Sequence, residues 1–194
     1  MSVGELKRII LDLCGGTGSW SKPYIDAGYD VRIITLPDCD VRLYTPPSNV
    51  HGILAAPPCT QFSKAKHFHG KGNYSHDFLQ GLEVVAACMR IILTANPVFW
   101  ALENPLGYLQ NWLKQPQYIF DAWEFGATYQ KRTALWGKFN APIKTVHEKP
   151  KGIVKFSMLK SKDIAPEYYG ILNRQERRAV TPKSFAQAFF MANL

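Results

Sequence analysis

Cys59 is the residue of this chain whose surroundings best suit chemistry. It stands in Pro57-Pro58-Cys59-Thr60-Gln61-Phe62-Ser63, directly after the short apolar run 52–56. Two prolines restrict the backbone ahead of it. A thiol there is held in place at the end of a strand, and its thiolate is a strong nucleophile. A cysteine taken at random is more often an inert core residue. The prolines, with the polar side chains of Gln61 and Ser63 able to face a ligand, set this one apart. The second candidate is Glu103, in Glu103-Asn104-Pro105, which closes the apolar stretch Phe99-Trp100-Ala101-Leu102. A carboxylate there is either exposed or in need of partners. Alone it reads as a surface glutamate before a turn-forming Asn-Pro.

These residues need elements to position them. Ile9, Ile10, Leu11 and Leu13 make 7–13 a buried strand with Asp12 near its end. The turn Cys14-Gly15-Gly16-Thr17-Gly18 follows, and then a helix over 19–27 that stops at Gly28. Strands are expected over 31–36 and 52–56. Leu79, Leu82, Val85, Ala86, Met89 and Ile92 or Leu93 recur at helical spacing and predict a helix over 78–94, N-capped by Asp77. Asn96-Pro97 breaks it. A strand over 98–102, a short helix over 106–113, a strand over 134–136 and a helix over 185–192 after Thr181-Pro182 complete the pattern. Strands alternating with helices imply an α/β sandwich: a mostly parallel sheet with helices on both faces, forming one domain over 1–194. Ligands of such sheets sit beyond the carboxyl ends of the strands. The glycine turn, Cys59 and Glu103 all fall there.

The glycine turn lets a ligand approach the backbone, because glycine has no Cβ and tolerates positive φ. It also exposes N–H groups before a helix. It fits phosphate, a dinucleotide or S-adenosylmethionine, and a plain tight turn equally well. Two features count against NAD. Gly16-Thr17-Gly18-Ser19-Trp20-Ser21 lacks the third glycine of the dinucleotide pattern, and Thr35-Leu36-Pro37 ends the second strand without an acid.

The chain has 194 residues, enough for one ordinary domain, and 46% hydrophobic residues, enough for a core. A formal net charge of +8 favours a polyanionic partner such as nucleic acid. No apolar run reaches the roughly 18 to 20 residues that span a bilayer, and residues 1–8 do not read as a signal peptide. A soluble, cytoplasmic monomer without membrane contact is expected. Cys14, Cys39, Cys59 and Cys88 are scattered, without a Cys-x-x-Cys pair, so disulfides are not expected. His67, His69 and His76 cluster with no cysteine at zinc-finger spacing, so no metal is expected.

In order along the chain, these motifs resemble those of the cytosine-C5 DNA methyltransferases, and of their short phage-type members above all. Asp12-Leu13-Cys14-Gly15-Gly16-Thr17-Gly18-Ser19-Trp20 matches the first motif. Pro58-Cys59-Thr60-Gln61-Phe62-Ser63 matches the nucleophile motif. Glu103-Asn104-Pro105 stands for Glu-Asn-Val, and Gln130-Lys131-Arg132-Thr133-Ala134 for Gln-x-Arg-x-Arg. Thr181-Pro182-Lys183-Ser184-Phe185-Ala186 resembles the last motif. Each is weakly specific; the ordered set covers nearly the whole chain.

The resemblance implies a Rossmann-like S-adenosylmethionine-dependent fold and covalent catalysis. Cys59 would attack C6 of cytosine, making C5 nucleophilic toward the methyl group of S-adenosyl-L-methionine and leaving S-adenosyl-L-homocysteine. Glu103 would hold the N3/N4 edge of the base, and Arg132 would steady the base and favour the thiolate. The base must be flipped out of its duplex or be single-stranded. Asp12, Cys14, Gly15, Gly16, Thr17, Gly18, Ser19, Trp20, Leu36, Asp40, Val41 and Pro58 are implied cofactor contacts. Trp20 suits a core role equally, and Asp40 a loop role. Gln61, Ser63, Asn104 and Lys131 are implied substrate contacts.

The chain also departs from the family. The acid that grips the cofactor ribose has no match in Thr35-Leu36-Pro37, and the helix usual before Asp40 is missing. Ala134 replaces the second arginine. Only roughly 40 residues separate Gly137 from Thr181, too few for a large target-reading domain. The segment 138–180 is instead a reduced one, rich in Lys138, Lys144, Lys149, Lys151, Lys155, Lys160, Lys162, Arg174, Arg177 and Arg178, with aromatic residues between. It suits the phosphate backbone and short or relaxed specificity. Residues 67–76, with Gly70 and Gly72, are expected to close over the base. Two rival readings remain. One is modification of RNA, or transfer of a group other than methyl. The other is a decayed relative that only binds nucleic acid.

Overall fold

The computed structural model describes residues 7–64 and 75–194. Its strands are β1 (Ile9–Leu13), β2 (Asp30–Ile34), β3 (Val50–Ala55), β4 (Phe99–Pro105), β5 (Tyr118–Asp121), β6 (Tyr129–Gln130), β7 (Arg132–Lys138) and β8 (Val154–Lys155). Its helices are α1 (Lys22–Asp26), α2 (Phe78–Ala95), α3 (Gln110–Leu113), α4 (Arg174–Ala179) and α5 (Lys183–Ala192). Six strands form one sheet in the order β2-β1-β3-β4-β7-β5. The first four are parallel, and β7 runs antiparallel to both β4 and β5. β6 and β8 pair in parallel as a separate ribbon. The α/β class expected from the alternation of elements is the class observed.

Both sheet faces are covered, which is why the central strands read as unbroken apolar runs. Strand alternation sends Leu11, Leu13, Ile53, Ala55 and Leu102 to one face, where Val85, Cys88, Ile91 and Ile92 of α2 meet them. Ile10, Leu54, Ala101 and Leu135 face the other side, against Trp20, Tyr24, Phe185 and Phe189. Asp77 caps α2 as expected, accepting from the Gln80 N–H at 3.0 Å. By length and composition α2 is apolar enough to cross a bilayer, a property the sequence reading assigned to no segment. Here Gly81, Val85, Ala87, Cys88, Ile91 and Ile92 of α2 are buried within the fold.

Several elements differ from expectation. α1 begins at Lys22 instead of 19, because Gly16 and Gly18 hold positive φ and the turn runs on through Ser21. β4 reaches Pro105, because β7 runs alongside it in register up to the pair Pro105 and Thr133. β5 and the β6/β8 ribbon are too short for their periodicity to register. α4 is polar, and its capping box of Asn173 and Glu176 marks it better than any apolar stripe. His67, His69, Gly70 and Gly72 lie outside the described residues.

The segment 138–180 is mostly turns tied together by one side chain. Arg177 is 4% exposed. It donates to the carbonyls of Ser161 (2.5 Å), Ile164 (2.9 Å) and Leu172 (3.2 Å) and to Ser161 Oγ (2.9 Å). Its guanidinium carbon lies 4.9 Å from the centre of the Tyr169 ring. Lys144 is likewise engaged, with Glu124 at 2.7 Å. Both count toward the net charge, and neither is a free surface cation.

Phe185 anchors α5. It stacks on Phe120 with ring centroids 4.1 Å apart and meets Phe125 edge-on at 5.2 Å. Phe185→Ala should lower unfolding free energy by about 3 kcal/mol, read as an earlier urea midpoint with an unchanged slope. A loss under about 1 kcal/mol would mean that α5 is not part of the core.

Candidate active site

The segment carrying Cys59 is held at both ends. After β3, the Ala56 N–H donates to Leu13 O at 2.9 Å, keeping the chain against β1. A single turn follows over Cys59–Gln61, with the N–H groups of Phe62 and Ser63 both donating to Cys59 O at 3.0 and 2.9 Å. Buried Asn104 donates from Nδ2 to Pro57 O at 2.9 Å. The Tyr108 N–H donates to Phe62 O at 2.8 Å. Gly107 permits that approach, since a Cβ there would lie 2.2 Å from Phe62 O.

Two implied substrate contacts also hold the loop. Asn104 ties the end of β4 to the nucleophile loop. Gln61 ties that loop to α2, accepting from the Asp77 N–H at 2.9 Å and donating to Gln80 Oε1 at 3.0 Å. A polar side chain beside a nucleophile serves substrate or loop equally well in sequence terms, and here the backbone claims both.

Glu103 sits three residues from the end of β4, paired with Leu135. It lines a small cavity with Phe120, Ala122, Lys131, Thr133, Thr181, Pro182 and Phe185. Burial pushes its carboxyl above the usual carboxylate range, and Lys131 opposes that. Cys59 is exposed as a residue. The protein packed around its sulfur still raises the thiol, by burial first and by Glu103 second, while Lys131 and Arg178 pull it back. Glu103 and Lys131 share the cavity, and both act electrostatically on Cys59 from outside its own turn.

Arg132 does not join them. It is exposed, and strand alternation puts it on the face opposite Thr133, which lines the cavity. Ala134 is buried on that same opposite face. Lys131 fills the cationic place instead. Arg178, which sequence reading grouped with backbone-binding charges, acts electrostatically on Cys59. The signal available for it was position, three residues before Thr181.

The glycine turn is braced from below. Asp12 is 0% exposed; its Oδ2 accepts from Ser21 Oγ at 2.5 Å, and its Oδ1 has no partner among the described residues. A Cβ on Gly15 would lie 2.4–2.6 Å from the Asp12 carboxyl, so only glycine fits over it. Gly16, at φ +54°, has open space on its Cβ side. Cys14 also takes positive φ, its N–H donating to Ile34 O at 2.7 Å. Ser19 Oγ accepts from the Thr181 N–H at 2.9 Å, joining the turn to the start of α5.

Among the implied cofactor contacts, Trp20 is taken up by the core, edge-on to Phe189 at 5.3 Å. Val41 is buried beneath α2, and Gly18 is closed in by Ile33. Thr17, Leu36 and Pro58 remain exposed beyond the carboxyl ends of β1, β2 and β3. Asp40 also follows β2, and Arg42 grips it at 2.6 Å and holds its carboxyl below the usual range. A carboxylate has about four acceptor sites, so that grip leaves Asp40 room for another donor.

No protein-family model matches the sequence, and no curated protein matches it. Among solved structures, the chain is similar to an E. coli protein encoded within a prophage and assigned as a DNA modification methyltransferase. The identity is 16% and the TM-score 0.47, over 82% of this chain and 50% of that one. The chain thus spans half the length of that structure. The functional reading rests on the residues above.

Asp12 provides a test of the brace. Burial raises its carboxyl from 3.8 to about 6, against the hydrogen bonds from Ser21. The folded state therefore holds that proton more tightly than the unfolded chain does. The resulting stabilisation is complete below pH about 4 and is lost as pH rises through about 6. Asp12→Asn keeps the size and an acceptor but removes the titration. Urea unfolding across this window should show wild type losing stability relative to the variant. Parallel pH profiles would mean that Asp12 is solvated.

Proposed function

We propose that this chain is an S-adenosylmethionine-dependent DNA (cytosine-5)-methyltransferase that works through a covalent bond between Cys59 and C6 of cytosine. One observation carries the reading: Glu103 and Lys131 line one cavity, and both act electrostatically on the conformationally fixed Cys59. Each has work to do on a cytosine ring. The Cys59 sulfur bonds to C6, and the ring's π electrons move toward N3. Glu103, whose carboxyl burial shifts toward the neutral acid, would donate a proton or a hydrogen bond to N3 and so accept that charge. Lys131 faces Glu103 across the cavity and counters the negative charge that builds on the ring and on the sulfur. Once C5 carries the methyl group, loss of the C5 proton to a base restores the C5=C6 double bond, the sulfur leaves C6, and Glu103 recovers its proton from N3.

S-adenosylmethionine, when bound, supplies an electrophilic methyl group on a sulfonium centre. The residues present fit it. Gly16 gives an open backbone approach, Thr17, Leu36 and Pro58 are exposed around it, and Asp40 is a charged acceptor beyond β2. The segment 138–180 belongs to the same domain and would meet the nucleic-acid backbone with the lysines that the fold leaves unengaged. With Arg177 and Lys144 spent internally, that surface carries little base-reading chemistry, and relaxed specificity follows.

DNA containing 5-fluorocytosine, incubated with the protein and S-adenosylmethionine, should give an adduct that survives denaturing electrophoresis, because fluorine blocks the final elimination. Cys59→Ser should abolish it, and Glu103→Gln should slow its formation by about a hundredfold or more. Absence of an adduct with both DNA and RNA would overturn the mechanism. An adduct with RNA alone would overturn the choice of substrate.

A further inference from the structure

Phe156 carries two cations from different parts of the chain. Lys131 Nζ lies 5.5 Å from the centre of its ring, and the Arg178 guanidinium carbon lies 4.9 Å from it. The β6/β8 ribbon explains the first contact. Its parallel register pairs Gln130 with Lys155, so the next residue of each strand, Lys131 and Phe156, emerge together. Tyr129 backs the Phe156 ring, with centroids 4.9 Å apart. The second contact comes from α4. Arg177 fastens that helix to the carbonyls of Ser161 and Ile164 and so fixes where Arg178 emerges. Lys131 Nζ also donates to Arg178 O at 3.2 Å. The pair stands at the edge of the Glu103 cavity, which is lined by Lys131 and by Thr181, three residues after Arg178.

Among the described residues, neither cation has a carboxylate within ion-pair distance. The acids of this segment are turned to other tasks. Glu176 accepts from the Asn173 N–H at 2.8 Å to cap α4, and Glu167 lies 4.0 Å from Lys183. Gathered cations repel each other. The face of Phe156 offsets part of that repulsion, and the rest is left for an anion from outside the chain. We propose that Arg178 and Lys131, seated on Phe156, form a phosphodiester site for the backbone linkage next to the reacting cytosine. The assignment rests on the reading of the Glu103 cavity as the place of the base. A base that enters a cavity leaves its phosphate at the edge, where this pair stands. A guanidinium can take two phosphate oxygens at once, and an ammonium adds a compact charge beside it. Such a contact positions the strand and carries no sequence information. It differs from the exposed lysines of 138–180 because the ribbon, α4 and the cavity edge assemble it at one place.

The test is binding of a fluorescein-labelled single-stranded oligodeoxynucleotide with one cytosine, read by anisotropy without cofactor. In two further strands, one or the other linkage flanking the cytosine is an uncharged methylphosphonate; a control strand carries it far from the cytosine. For wild type, one flanking methylphosphonate should weaken binding by about tenfold, and the distant one much less. Arg178→Met should weaken binding of the unmodified strand by a similar factor and reduce its salt slope by about one. In that variant the same flanking methylphosphonate should cost nothing further, because its partner is already gone. Arg178→Lys should retain part of the effect. If Arg178→Met does not fold, as read by its urea midpoint, Arg178→Gln takes its place. A merely structural arginine would give losses that multiply. That result, a flanking linkage that costs no more than the distant one, or no binding at low salt overturns the site. The coupling without a 5-fluorocytosine adduct keeps the site and overturns the methyltransferase reading; an adduct without the coupling does the reverse.

Discussion

β7 hydrogen-bonds along β4 from the pair Trp100 and Lys138 to the pair Pro105 and Thr133. β3, the parallel neighbour on the other side, gives out opposite Leu102. The last residues of β4 are therefore held from one side only, by a strand running the other way. That asymmetry makes the site possible. It leaves Glu103 fixed in a strand with its flank open toward the Cys59 loop. It also lets Asn104 reach sideways to Pro57 O. Because β7 is antiparallel, its beginning lies beside the end of β4, and Lys131, just ahead of it, lines the same cavity as Glu103. A parallel strand in that position would need a long crossover and would present its carboxyl end instead.

Burial gives the site its resting state. Both reactive groups are pushed toward their neutral forms, Glu103 as acid and Cys59 as thiol. A neutral acid suits donation to N3; a neutral thiol does not suit attack at C6. The two cations oppose this shift on the sulfur side without reversing it. Lys131 acts on both groups, so its charge is divided between two tasks. Arg178 acts on Cys59 and is absent from the influences on Glu103, so it separates the two ionisations where Lys131 alone would move them together.

The parts of this arrangement legible in the sequence were those set by local chemistry. β1, β3 and β4 announce themselves because both sheet faces are covered and the strands are mostly apolar. α2 does so by its periodicity and its Asp77 cap. The rigid Cys59 loop follows from its prolines. Strand phase was not legible. Whether Lys131 or Arg132 faces the cavity depends on the register of β7 against β4, which is a non-local pairing. The fate of polar side chains was equally hidden. Gln61 and Asn104 are chemically suited to a base, and only the positions of Asp77, Gln80 and Pro57 assign them to the loop. The net charge misleads in the same way, since Arg177 and Lys144 are spent holding turns together.

The two halves of the site are joined through the start of α5. Thr181 lines the cavity of Glu103, and its N–H donates to Ser19 Oγ in the glycine turn. Phe185, one turn on, lines the same cavity and stacks on Phe120 at its wall. The turn is itself braced by Ser21 on Asp12. A displacement of the glycine turn by a ligand would therefore act on Thr181 through one hydrogen bond, and on the cavity through Thr181. Coupling of this kind needs a connected set of packed and hydrogen-bonded groups. The path from Asp12 through Ser21, Ser19 and Thr181 to the edge of the Glu103 cavity is such a set. It also explains why the last motif of the chain, remote in sequence from Cys59, belongs to the same site.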